Sequence, residues 1–210
     1  MLGRIIEVIT GQDLESVLRE RIFDPLKMTD TSFAVPDDKV SKFCALYTRT
    51  SENPLKKLED AESSRFRRPV IMNSGGGGLV SSMKDYVWFV EMLRRLGELD
   101  GERILGRKTV DFMMRNHLPG DMASMGQKTF SEMPMTGVGF GLGGAVLLDP
   151  VKSEIIGSEG EFTWGGVAST AFWIDPMEDI SVVFMTQLIP SSSYPIRREL
   201  RVLVYQALTD

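Results

Sequence analysis

Glu161-Phe162-Thr163-Trp164-Gly165-Gly166-Val167-Ala168-Ser169-Thr170-Ala171-Phe172-Trp173-Ile174-Asp175-Pro176 reads as a strand that starts on a Trp-Gly-Gly triplet and closes on Asp-Pro. Beyond Gly166 the side chains alternate and aromatics recur, as strands favour. Two adjacent glycines weaken a strand and are kept where another backbone or a ligand must approach closely. Trp164, just ahead of them, is badly placed for a purely structural indole. The segment is therefore expected to wall a substrate site. No partner set able to act on a substrate beside it stands out elsewhere in the 210 residues.

Outward from this segment, residues 137–148 read as a preceding strand with Asp149-Pro150 as its turn. Residues 180–188, Ile-Ser-Val-Val-Phe-Met-Thr-Gln-Leu, read as a third strand, apolar enough to be central. Short links predict antiparallel pairing of the three. Residues 196–208 close the chain as an amphipathic helix able to pack on that sheet.

The N-terminal part reads differently. Leu2, Ile5, Ile6 and Ile9 sit at helical spacing, and Gly11 suits the stop. Leu14, Val17, Leu18 and Ile22 repeat the pattern until Asp24-Pro25. The chain thus opens inside a helix with no residue ahead to cap it, an abrupt start for a domain. Residues 28–74, with Pro36, Pro54 and Pro69, read as a long excursion holding one hairpin around Cys44–Thr50. Such a length is unusual unless it covers a site or packs on another unit. Gly75–Gly78 leads into a helix running to about Leu96, with Ser82 as N-cap and Asp85 completing a near capping box. A short helix follows over residues 107–116, then a Met- and Gly-rich loop over 117–136. The expected organisation is a mainly helical region, 1–136, followed by an antiparallel sheet with its helix, 137–210. This is α+β rather than alternating α/β.

Composition narrows the function. Hydrophobic residues make up 42% and charged residues 25%, which suits a globular domain. The net charge of −5 and the short basic runs at 56–57, 67–68 and 197–198 argue against a nucleic-acid partner. One cysteine, Cys44, excludes an internal disulfide and is expected to be buried as a small apolar residue. One histidine and one cysteine leave no zinc ligand set of the usual kind, and no cofactor or metal is expected. No apolar run reaches the roughly 20 residues of a membrane span, and the N-terminus does not read as a signal peptide. The expected compartment is the cytoplasm, unless an upstream segment carries a signal.

Each candidate for chemistry has a plainer reading beside it. Ser81-Ser82-Met83-Lys84 has Ser-x-x-Lys spacing, which on a helix would let Lys84 deprotonate Ser81. Capping accounts for Ser82 and a solvated first turn for Lys84. Gly75–Gly78 lacks the Gly-Lys-Ser/Thr of a phosphate loop and reads as a turn. His117 follows a helix, where it caps carbonyls or faces solvent. Glu159 and Glu161 read as a solvated hairpin tip rather than an acid–base pair.

Four segments then carry a family resemblance: residues 2–11; 22–28 with Thr31-Ser32-Phe33; 76–82 with Asp85-Tyr86; and Gly139-Phe140-Gly141-Leu142-Gly143 followed by Trp164-Gly165-Gly166. In this order and at these intervals the chain resembles the C-terminal part of class C β-lactamase-like serine hydrolases, in their esterase and transesterase branch. The resemblance implies a β-lactamase/transpeptidase-like fold that is incomplete here. It implies an acyl-serine mechanism using a Ser-x-x-Lys nucleophile, a Tyr-x-Asn-type tyrosine and a third motif on a strand. That third motif maps to Trp164, Gly165 and Gly166, with the Val167 N–H as an oxyanion donor. The nucleophile and tyrosine motifs of the family precede the segment that begins here at Leu2, and Tyr47, Tyr86, Tyr194 and Tyr205 all fail Tyr-x-Asn. No catalytic residue is therefore assigned; Trp164, Gly165, Gly166 and Val167 are the substrate and oxyanion candidates.

Trp-Gly in place of Lys-Thr removes the groups expected to hold a β-lactam carboxylate, which favours a small acyl ester as substrate. The resemblance also implies that residues 180–188 form an exposed apolar edge open to self-association or strand exchange. Two other readings stay open: an autonomous hydrolase using Ser81 and Lys84, and a non-catalytic binding or assembly module.

Overall fold

A computed structural model describes residues 1–68 and 70–209; Pro69 of the long excursion lies outside them. The order of elements is α+β, as expected. Helix α1 (Leu2–Thr10) ends where Gly11 takes the left-handed conformation at φ 70° and donates its N–H to Glu7 O. Gly3 packs on Leu14 and the Gly75 backbone and Glu7 accepts from Leu14 N at 3.2 Å, while Leu2, Val8 and Ile9 stay exposed. The helix α2 (Leu14–Leu18) is capped by Asp13 and runs into a π turn over Arg19–Phe23 that delivers Phe23 to the core.

The excursion after it is less free than its sequence suggests. Strands β1 (Leu46–Thr48) and β2 (Lys56–Glu59) form the expected hairpin, but β1 also pairs in parallel with a strand from the far end of the chain, β12, Leu188–Ile189. Cys44 is exposed, not buried.

Helix α3 (Met83–Arg94) starts at Ser82, whose Oγ accepts from the Asp85 N–H, as read. Asp85 does not complete a capping box. It is buried and accepts from Asp30 N at 2.6 Å and Thr31 Oγ1 at 2.9 Å, tying the excursion to the helix. A small hairpin, β3 (Glu98–Leu99) and β4 (Glu102–Arg103), precedes α4 (Arg107–Met113). Within the expected 117–136 loop lies another hairpin, β5 (Thr129–Phe130) and β6 (Met133–Pro134).

The main sheet has five antiparallel strands, not three. In spatial order it is β11 (Ile180–Phe184), β10 (Ala171–Asp175), β9 (Phe162–Gly165), β8 (Ala145–Leu147) and β7 (Val138–Phe140). The predicted strand 137–148 divides because Gly141–Gly144 turns the chain back on itself. A Cβ on Gly144 would lie 2.5 Å from the Phe162 ring, so only glycine lets that ring cross. Asp149-Pro150 is no simple turn. Asp149 caps a short helix, α5 (Pro150–Ser153), with proline at its first position. The predicted strand 180–188 also divides, because its last residues leave the sheet to join β1. Helix α6 (Ile196–Tyr205) closes the chain.

The sheet has two unlike faces. Phe162, Phe172 and Ile174 meet Phe23, Leu26, Val90, Leu93 and Val110 in one apolar core. The opposite face presents Glu161, Thr163, Trp173 and Asp175 to α6.

At the sheet's edge, Glu91 of α3 accepts from Arg94 and from Ser181 of β11. Arg94 is the main cause holding this carboxyl below its ordinary value, against its partial burial. A depressed carboxylate stabilises the fold above its ordinary pKa of 4.5, and that contribution is lost as pH falls through the depressed value. Glu91→Gln is expected to cost ~1 kcal/mol at neutral pH, and the difference from the parent should close toward pH 2. Urea unfolding across that range checks it; a constant difference would refute it.

Candidate functional site

The Trp-Gly-Gly triplet lies at the end of β9, not at the start of a strand. The 164–174 segment divides into β9, a turn over residues 166–170, and β10, with Gly165 opposite Ala171. Within the turn, Gly166 N donates to Thr170 O at 3.0 Å and Ser169 N to Gly166 O at 3.1 Å. Ser169 itself sits at φ 69°. It is buried, and its Oγ donates to Leu188 O at 2.6 Å, while Leu188 N donates to Ala168 O. The turn is thus seated on β12. At its apex Val167 is 74% exposed, and its N–H has no acceptor among the described residues.

The close approach that the two glycines predicted is present, and the chain's own groups make it. A Cβ on Gly165 would lie 2.7 Å from Thr170 O and 3.0 Å from Arg197 Nη2; one on Gly166 would lie 2.5 Å from Thr170 Oγ1. Gly165→Ala is expected to cost ~2 kcal/mol, because backbone and a buried guanidinium are the obstacles, not a flexible side-chain end. Thermal unfolding checks this, and an unchanged midpoint would refute it.

Trp164 is half-buried. Its indole stacks on Phe130 at 4.8 Å between ring centres and meets the edge of Phe140 at 5.1 Å. The β5–β6 hairpin thereby roofs the end of β9. Under this roof lies a cavity of about 40 Å³ bounded by Phe130, Met133, Thr163, Trp164, Arg197 and Arg201.

Other sequence candidates fall elsewhere. Ser81 precedes the helix, so it does not share a helical face with Lys84. Its Oγ pairs with Thr31 Oγ1 at 2.8 Å, while the Lys84 ammonium lies over the Trp88 ring at 5.4 Å. Tyr86 packs on Phe89 and Phe172, and burial pushes its phenol up to about 12. His117 is exposed and reaches Phe112 O at 2.8 Å, at the end of α4, in the capping role expected. Glu159 is exposed, whereas Glu161 is not solvated: it is 1% exposed and pairs with Arg201 at 2.5 Å. Burial raises its carboxyl above the ordinary range, against the Arg201 charge.

Sequence reasoning passed over Arg197 and Glu132. Arg197 reads as a surface basic run, yet it is buried and paired with Glu132 at 2.9 Å. Its only signal is position: it falls on the inward face of an amphipathic helix.

Comparison with known proteins bears on the family and the fold. The family profile described as Beta-lactamase matches residues 1–206. Protein Rv1367c of Mycobacterium tuberculosis is 32% identical over 197 residues, covering 92% of this chain and 48% of that protein. Lovastatin esterase of Penicillium rubens is 30% identical, covering 89% of this chain and 48% of the esterase. A simvastatin synthase variant from Aspergillus terreus superposes with a TM-score of 0.80 at 28% identity, over 97% of this chain and 52% of that one. The chain spans about half the length of the curated relatives it matches. With the profile running over nearly every residue, the chain belongs to the Beta-lactamase family.

Proposed function

We propose that this chain supplies the oxyanion wall of a serine esterase or acyltransferase acting on small acyl esters. The observation that carries this reading is the Val167 N–H, free of any acceptor among the described residues, at the exposed apex of a turn fixed by Gly165, Gly166 and Ser169. A donor held without a partner is suited to an oxygen on which charge develops. Relatives named as a lovastatin esterase and a simvastatin synthase favour ester chemistry. In the reaction, a serine hydroxyl adds to the ester carbonyl and the alcohol leaves with the hydroxyl's proton. Water or a second alcohol then releases the acyl group. Ser81 Oγ is engaged by Thr31 and the Lys84 ammonium by Trp88, which counts against that pair as the serine and its base, and the chain is expected to be inactive alone.

The test is a fluorophosphonate adduct read by intact mass, with p-nitrophenyl butyrate turnover alongside. No adduct and no turnover from this chain alone is the expected result. A stoichiometric adduct on Ser81 would replace this reading with an autonomous hydrolase.

A second reading concerns assembly, as homo-oligomer or by strand exchange. Strand β11 stands at the edge of the five-stranded sheet, and among the described residues no strand pairs with its outer side. An open edge invites strand addition. Light scattering should show self-association that a proline in place of Val182 removes; a strict monomer would refute it.

A further inference from the structure

We infer that Arg197, held by Glu132, is a positioning residue that sets the conformation of the Gly166–Thr170 turn and so aims the Val167 N–H; this rests on the oxyanion reading above. Arg197 Nη2 donates to both carbonyls that close the turn, Gly166 O at 3.2 Å and Thr170 O at 3.0 Å. The remaining fork turns to the β5–β6 hairpin, where Nη1 donates to Glu132 Oε2 at 2.9 Å and Ser131 Oγ at 3.1 Å. It also reaches Ser191 O at 3.4 Å.

Glu132 has a second task. Its Oε1 accepts from the Arg197 backbone N–H at 3.2 Å, in the first turn of α6, whose own cap residue, Pro195, offers no side chain to do so. One carboxylate thus fixes both the helix start and the guanidinium that the helix projects, where a helix N-terminus favours negative charge.

Two features show that the guanidinium is fitted to this place. Arg197 is 6% exposed, so its charge is withdrawn from water and must be matched by directed bonds. Gly165 lies within 3.1 Å of Arg197 Nε counted from the missing Cβ, so the glycine of the motif leaves room for the guanidinium. Only a planar fork can take two carbonyls on one side and a carboxylate on the other; a lysine ammonium cannot span them. Ser169 clamps the turn from its other side through Leu188. Together the two anchors leave Val167 at the apex with its N–H unspent.

Arg197→Lys and Arg197→Met test this, with Arg198→Met, an exposed neighbour, as control. Amide exchange is read at Gly166 and Ser169, whose N–H groups close the turn, and at β10 as the reference. Both Arg197 variants should speed exchange in the turn by at least ~10-fold while β10 changes by less than ~2-fold. In any preparation that turns over p-nitrophenyl butyrate, kcat should fall by ~10²-fold with KM nearly constant, because the donor acts in the transition state. Turn exchange that stays at the parent rate, or that rises only in step with β10, overturns the inference. So does a loosened turn with unchanged kcat. The chain alone is expected to show no turnover, so a stoichiometric adduct on Ser81 with turnover from it is what overturns the oxyanion-wall reading, and the exchange data then still decide whether Arg197 sets the turn.

Discussion

Replacing Arg201 by methionine is expected to lower the stability of the protein by ~3–5 kcal/mol, because it leaves a buried carboxylate without its counter-charge. Arg201 is 4% exposed. It pairs with Glu161, reaches Thr163 Oγ1 at 3.3 Å, and lies over the Trp173 ring with Cζ 4.5 Å from its centre. Tyr205 adds a hydroxyl 3.0 Å from Glu161 and 2.7 Å from Asp175. Replacing both partners, as Glu161→Met with Arg201→Met, should cost less than the single change, since the Glu161 charge is then not stranded and Asp175 keeps its bonds from Tyr205, Met177 N and Glu178 N.

The pH dependence has a definite sign. Burial raises the Glu161 carboxyl above its ordinary value of 4.5. A raised group stabilises most below that value, and the contribution is lost as pH rises through the raised one. With Arg201 gone the carboxyl is raised further, so the variant should be weakest at alkaline pH and recover partly toward pH 5. Guanidinium chloride unfolding at both pH values checks this. A single variant within ~1 kcal/mol of the parent at pH 8 would show that the pair is not buried as described.

Phe162→Ala should cost ~3–5 kcal/mol, the range for an aromatic lost from a core. Phe162 is 2% exposed, crosses Gly144 of the β7–β8 turn, and lies 6.3 Å from the Phe172 ring. It is also the residue two before Trp164 on the same side of β9, so it registers the Trp-Gly-Gly end of the strand against the sheet. Phe162→Leu, which keeps most of the volume, should cost ~1 kcal/mol. Equal losses for the two would mean that the site relaxes around a cavity.

The helices were legible where local chemistry writes them. The Ser82 cap, the Gly11 stop and the apolar spacing of 14–22 all depend on residues within one or two turns, and the structure places them as read. What the apolar face of α1 meets was not legible, because spacing shows only that a face exists, and most of that face is exposed. The strands were legible as strands but not in number. A run such as 137–148 looks continuous until Gly141 and Gly144 are seen against Met113 O and the Phe162 ring. The site was half legible: Trp164, Gly165 and Gly166 stood out, whereas Arg197 and Glu132, 65 residues apart, did not.

The α+β class, the main helices, the family motifs and the Trp-Gly-Gly segment were determined by the sequence alone, because each is a pattern over neighbouring residues. Tertiary structure decided the parallel pairing of β1 with β12, the burial of Glu161 beneath α6 and the grip of Arg197 on the turn. In each case the free energy belongs to a pair distant in the chain. A carboxylate or a guanidinium carries no local mark of whether it will meet water or a buried partner, and only the folded chain brings the partner to it.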